Sequence, residues 1–176
     1  MMKWLLVVYK VPPEPSTARV YAWRKLKGLG GLYIQQSVCI LPYTQQNSEG
    51  ILDIEKDMQK YGGEFWHFIV EQFDEKTESK LINQYNELRD REYEEIADKC
   101  NDFYAEIEKE TKNENFTYAE LEENEDELEK LCNWFCKVVK RDLFGASKKG
   151  QVEGMLEQCK KLLEEFAQRV YNTEES

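Results

Sequence analysis

The residues of this sequence that could do chemistry are scattered cations, one histidine, five cysteines and many carboxylates. Lys10 ends the apolar run KWLLVVYKV and stands just before Pro12, Pro13 and Pro15. Metal and phosphate enzymes often place a carboxylate or glycines at such a strand tip. A lysine cannot ligate Mg²⁺, which wants oxygen donors. It can hold its head in water, or contact a phosphate or a carboxylate of the helical part. Arg19, Arg24 and Lys27 spread over about 140° of the helix that follows, with Trp23 among them. A basic strip beside an aromatic can hold a nucleic-acid backbone, and it can equally be a solvated face pairing with acidic helices. Arg89, Arg91 and Arg141 lie near helix ends or inside acidic runs. With Lys10 they make a candidate cleft between sheet and helices for a small-anion binder or an enzyme, the structural alternative being arginines held by Glu or Asp across a bundle.

Other reactive side chains assemble into nothing. His67 stands mid-strand between Trp66 and Phe68, with no Ser or Cys predictably beside it, so no nucleophile–base pair is visible. Cys132 and Cys136 are four apart on one helix, but zinc needs two more ligands, and the thiols are expected to be buried and structural. A di-iron bundle would need two Glu-x-x-His segments, and the chain has one histidine. The nucleotide, P-loop, zinc-protease and serine-hydrolase motifs are missing, and Gly28, Gly30 and Gly31 follow a helix instead of preceding one. The expectation is no catalytic set, no metal and no cofactor.

Charge and length bound the rest. The 176 residues suffice to bury a core without staples. An odd number of cysteines fits reduced thiols, and MMKWLLVVYKVPP is too short for a signal peptide or a membrane span, so the expected location is cytoplasmic. Residues 1–76 carry nine Lys and Arg against nine Asp and Glu, so the whole net charge of −11 falls in residues 77–176. An acidic surface repels phosphate backbones, which leaves the neutral first part as the only place for a nucleic-acid role.

The elements that must position these residues differ between the two parts. In residues 1–76, the strand ending at Lys10 precedes a helix with Ser16 as N-cap and Ala18, Ala22, Leu26 and Leu29 on one face. Strands follow at 32–36 and 38–42, then a helix from Ser48 to the Gly62–Gly63 stop, then a strand over 64–73. The order β-α-β-β-α-β predicts a ferredoxin-like, four-stranded antiparallel sheet with both helices on one face, in an α+β protein. Trp4, Tyr9, Tyr33, Trp66 and Phe73 are candidates to line the other face, and either the next helix or a homodimer partner must cover it. Residues 77–176 predict three helices packed antiparallel. The first carries Leu81, Tyr85, Leu88, Tyr93, Ile96, Cys100, Phe103 and Ile107; the others span 119–143 and 149–171, with Gly145 capping between them.

Specific strings carry a resemblance. The opening WLLVVYKVPPEPSTARVYAWRKLKGLGGLYIQQSVCILP, the stretch from Leu88 through Arg91, Glu92 and Tyr93, and KRDLFGA at 140–146 together resemble the N-terminal region of the chromate-resistance regulator ChrB family. The similarity runs over nearly the whole chain, in packing and turn strings. It implies a regulatory or adaptor module acting through dimerisation, DNA or protein contacts. Fuller members have a further C-terminal domain associated with the chromate response; this sequence ends at Ser176, and the expectation is a chain without it. The first part more distantly resembles the ferredoxin-like domains of CRISPR spacer-integration proteins and PaaX-type regulators. The nuclease-type members place a metal-related Asp where this sequence has Lys10, so the resemblance does not extend to nuclease chemistry.

Overall fold

Burial that alternates along the continuous apolar run of β1 (Trp4–Lys10) decides how the first part of the chain folds. In the computed structural model, which describes residues 2–14 and 16–174, β1 is followed by α1 (Thr17–Gly28), β2 (Leu32–Gln35), β3 (Val38–Pro42), α2 (Gln45–Lys60) and β4 (Glu64–Val70). The sheet order is β2-β3-β1-β4, with every neighbour antiparallel, as the ferredoxin-like reading requires. Pro15, part of the predicted loop, lies outside the described residues.

Odd-numbered side chains of β1 enter the helix-side core. Leu5, Val7 and Tyr9 pack with Cys39, Leu41 and Phe65 of the sheet and with Ala22, Leu26, Ile51, Ile54 and Met58 of the helices. The expectation that Tyr9 and Tyr33 share the open face with Trp4 fails here. Tyr9 is five residues from Trp4, so the two point to opposite faces, and Tyr33, opposite Cys39, packs on the helix-side core. Trp4 is fully buried on the other face, where Phe73 meets it edge-on at 6.2 Å and its Nε1 donates to Glu78 Oε1 at 3.3 Å. Trp66 and Phe68, on the edge strand, stay about half exposed.

Element ends follow local hydrogen bonding. Ser16 precedes α1 but its hydroxyl makes no capping bond. The α1 C-terminus closes as expected on Gly30, at φ +85°, with Gly31 N–H donating to Leu26 O. α2 begins three residues before the expected Ser48, because Thr44 Oγ1 accepts from Asn47 N–H and recruits the polar run Gln45–Asn47 into the helix. β4 stops at Val70 and not at Phe73. Its Glu-Gln-Phe-Asp sequel turns into α3 (Glu75–Lys112), where the Asp74 carboxylate accepts from both Thr77 N–H and Thr77 Oγ1.

By internal contacts the chain forms two units, Met1–Gln84 and Tyr85–Ser176, the division falling inside α3. In the second unit the remainder of α3 shares one core with α4 (Tyr118–Arg141) and α5 (Lys149–Glu174). Tyr93, Ile96, Cys100 and Phe103 meet Leu128, Leu131 and Val138 of α4 and Val152, Leu156, Cys159 and Phe166 of α5. The predicted α3 seam is correct except at one turn. Arg89, 2% exposed, takes the buried position, and Leu88 is half-buried. Gly145 is left-handed at φ +74°, but it lies in the α4–α5 turn, beyond the α4 cap at Asp142.

Candidate nucleic-acid interface

A helix with cations at positions i and i+8 and an aromatic at i+4 presents all three along one flank, in steps of about 6 Å. Arg19, Trp23 and Lys27 form such a row on α1. Beside it lies the β2–β3 hairpin, turned tightly at Gln36 and Ser37, with Ser37 at φ +62°. A groove of about 670 Å³ is lined there by Lys10, Arg19, Trp23, Tyr33, Gln36 and Ser37 among others, with no carboxylate among the described residues that line it.

Each part of the groove has a physical role. Tyr9 and Tyr33 share a hydroxyl–hydroxyl hydrogen bond of 2.9 Å. Burial pushes both phenols above their ordinary pKa, so the floor beside the cations stays neutral. Lys27 Nζ sits 5.9 Å from the Tyr33 ring centroid, a cation–π contact that holds its charge near the row. Lys10 stands opposite Glu64 in the β1–β4 register. Among the described residues of this unit, none of Lys10, Arg19, Arg24 and Lys27 forms an ion pair, whereas Lys3, Lys56 and Lys60 do.

The expected basic strip divides. Arg24 leaves the Arg19–Lys27 row and lines a separate groove between α1 and α2, where Asp53 and Asp57 also lie. There Tyr21 donates to Asp57, and burial followed by that carboxylate pushes the Tyr21 phenol up to about 12. Lys10 joins Arg19 instead. A heptad-style reading of positions 19, 23 and 27 would have separated Arg24; the sequence put Tyr9 and Tyr33 on the open sheet face, and the β1–β3 and β2–β3 registers bring them to this groove instead.

The other predicted cations belong to the second unit. Arg89 Nε lies 3.0 Å from Glu92 Oε2, and Arg141 Nη2 donates to Glu92 Oε1 at 2.9 Å. Arg89 Nη1 and Arg141 Nε are buried with no acceptor. Burial lowers the Arg89 pKa and Glu92 opposes that shift, yet a guanidinium stays charged. Next to this pair, Tyr93 donates to Asp142 Oδ2 at 3.1 Å, while Asp142 Oδ1 accepts from the Gly145 and Ala146 N–H groups. Arg91 is exposed and stands apart from the cluster.

His67 lies on the sheet, 3.6 Å from Glu55, and Cys39, Cys100 and Cys159 are buried. The expectation of buried thiols fails at Cys136, which is exposed on the outer face of α4, and Cys132 is half-buried. Among the described residues no three His, Cys, Asp or Glu side chains converge as metal ligands, and no helix is long and apolar enough to cross a membrane.

Comparison with known proteins adds a family. The chain is similar to Protein ChrB of Cupriavidus metallidurans, 30% identical over 88 residues. That stretch is 50% of this chain and spans only 26% of the relative's length. No solved structure matches. A family model described as "Protein ChrB, N-terminal" matches residues 19–176, from Arg19 through both units and leaving out Lys10. Since it takes in most of the chain, this protein belongs to the ChrB N-terminal family.

Proposed function

We propose that this protein is a non-catalytic regulatory module of the ChrB kind, associated with chromate resistance, which meets DNA through the groove beside α1. One observation carries the reading: in a chain of net charge −11, a groove of the first unit is lined by Lys10 and Arg19, with no carboxylate among its described lining residues. Unpaired cations in a concave site favour a phosphate partner, and Lys27 extends the charge along the same flank. Membership of the ChrB N-terminal family supports the regulatory part. Fluorescence anisotropy of labelled DNA at low salt tests it. Arg19→Ala is expected to lower the dependence of log affinity on log salt by about one. Binding that ignores Arg19 and Lys27, or no binding at low salt, overturns the reading.

A second reading, a small-anion binder, has a separate observation behind it. The buried Arg89 and the half-buried Arg141 share Glu92, and Arg89 Nη1 and Arg141 Nε have no acceptor among the described residues. An oxyanion could accept from both, against the repulsion of Glu92 and Asp142. Titration calorimetry with phosphate and sulfate decides: heat that Arg89→Ala abolishes supports the site, and no heat at millimolar anion removes it.

A further inference from the structure

Duplex DNA is read by convex elements, a helix or a two-stranded ribbon entering the major groove. The charge of α1 is arranged otherwise. Arg19 and Lys10 sit in a concavity together with Trp23, Tyr9 and Tyr33, and the hairpin residues Gln35, Gln36 and Ser37 add amide and hydroxyl groups. We infer that this groove takes an unpaired nucleotide, so that the protein prefers single-stranded or locally opened DNA over intact duplex. The inference rests on the DNA reading above and specifies the form of DNA recognised.

The geometry suits one nucleotide with its flanking phosphates. A volume of about 670 Å³ is within the range of small-ligand sites and exceeds what a lone phosphate needs. Trp23 is 50% exposed although it belongs to a well-packed helix, which leaves its indole face free for a base to stack on. Arg19 and Lys27 flank it one helical turn away on either side, in the arrangement that lets a backbone run along the row while a base turns inward. The Tyr9–Tyr33 pair is uncharged and closes the inner wall without repelling phosphate. Both faces of a glutamine amide edge can pair with the donor and acceptor groups of a base, whichever base it is. Stacking then supplies sequence-tolerant affinity, and the cations supply its salt dependence.

The experiment compares a labelled oligothymidylate with a duplex of equal length, by anisotropy on the whole chain across a salt series. The expected result is tighter binding of the single strand. Trp23→Ala should weaken it about tenfold without changing the salt slope, while Trp23→Phe retains most of the affinity. Arg19→Ala should lower the slope instead. Because Trp23 is half exposed, the alanine variant should melt as the parent does, which circular dichroism checks. Duplex bound as tightly as single strand, or a Trp23→Ala variant with unchanged affinity, overturns the inference and leaves the DNA contact standing. Failure of both DNA forms to bind at low salt overturns the two together.

Discussion

Arg89 and Glu92 form an ion pair one turn apart on α3, with the arginine side chain only 3% exposed and its Nε 3.0 Å from Oε2. Glu92 also receives Arg141 of α4, so a single carboxylate compensates two guanidiniums from different helices. Burying charge is costly unless it is paired, and breaking a buried pair strands the remaining charge.

Glu92→Gln is therefore expected to cost about 3 kcal/mol, since it strands both arginines. Arg89→Met should cost less, about 1 kcal/mol, because Glu92 keeps Arg141 and an apolar side chain suits the seam position. Urea unfolding followed by circular dichroism measures both. Equal losses would mean that the pair does not act through shared compensation.

Asp142 ties the end of α4 to the turn before α5 through two backbone N–H groups and the Tyr93 hydroxyl. Tyr93→Phe removes one donor to a charged acceptor and should cost about 1.5 kcal/mol. Asp142→Ala leaves three donors unmatched and should cost about 3 kcal/mol. A double-mutant cycle over the two positions should give a coupling of about 1 kcal/mol, and a coupling of zero would show that the hydrogen bond contributes nothing.

Stability of the first unit should fall at alkaline pH. Burial pushes the Cys39 thiol from its ordinary value of 9.0 up to about 12. Above pH 9 the unfolded chain releases this proton while the folded one retains it. The contribution is thus complete below pH 9 and is lost as pH rises towards 12, at about 1.4 kcal/mol per pH unit within that window. Cys39→Ala should flatten this decline. Thermal melts of the two proteins from pH 8 to pH 10.5 would show it, and parallel declines would rule it out.

Gly31 accepts no side chain. A Cβ there would meet Cys39 Sγ and stand 2.8 Å from Leu26 O, and a backbone carbonyl cannot turn aside. Gly31→Ala should cost about 2 kcal/mol by overpacking, and Gly28→Ala, with open space around it, should cost almost nothing. Chemical denaturation of both variants compares them directly. Cys39→Ala combined with Gly31→Ala should recover only part of the loss, because the Leu26 contact remains.

Local patterns in the sequence settled the order and type of the elements. The 3–4 spacing of apolar residues specifies α3 to α5, a continuous apolar run specifies β1 and alternation β4, and the glycines at 30, 31, 62 and 63 mark where α1 and α2 end. Such signals act between neighbours in the chain, so they are legible without coordinates. The α2 start was hidden because a capping threonine outweighs the weak propensity of the polar residues after it. Which residues share a site depended on tertiary structure. Lys10, Arg19 and Tyr33 belong to three different elements, and only the pairing of β1 with β3, and of β3 with β2, brings them to one groove. Likewise Arg89 reads as a surface residue in an acidic run, yet the helical phase carries it into the seam, where Glu92 makes its burial tolerable against the repulsion of Arg141. Register and helix phase are properties of the packed whole, because each is selected by the apolar area it buries against a distant partner.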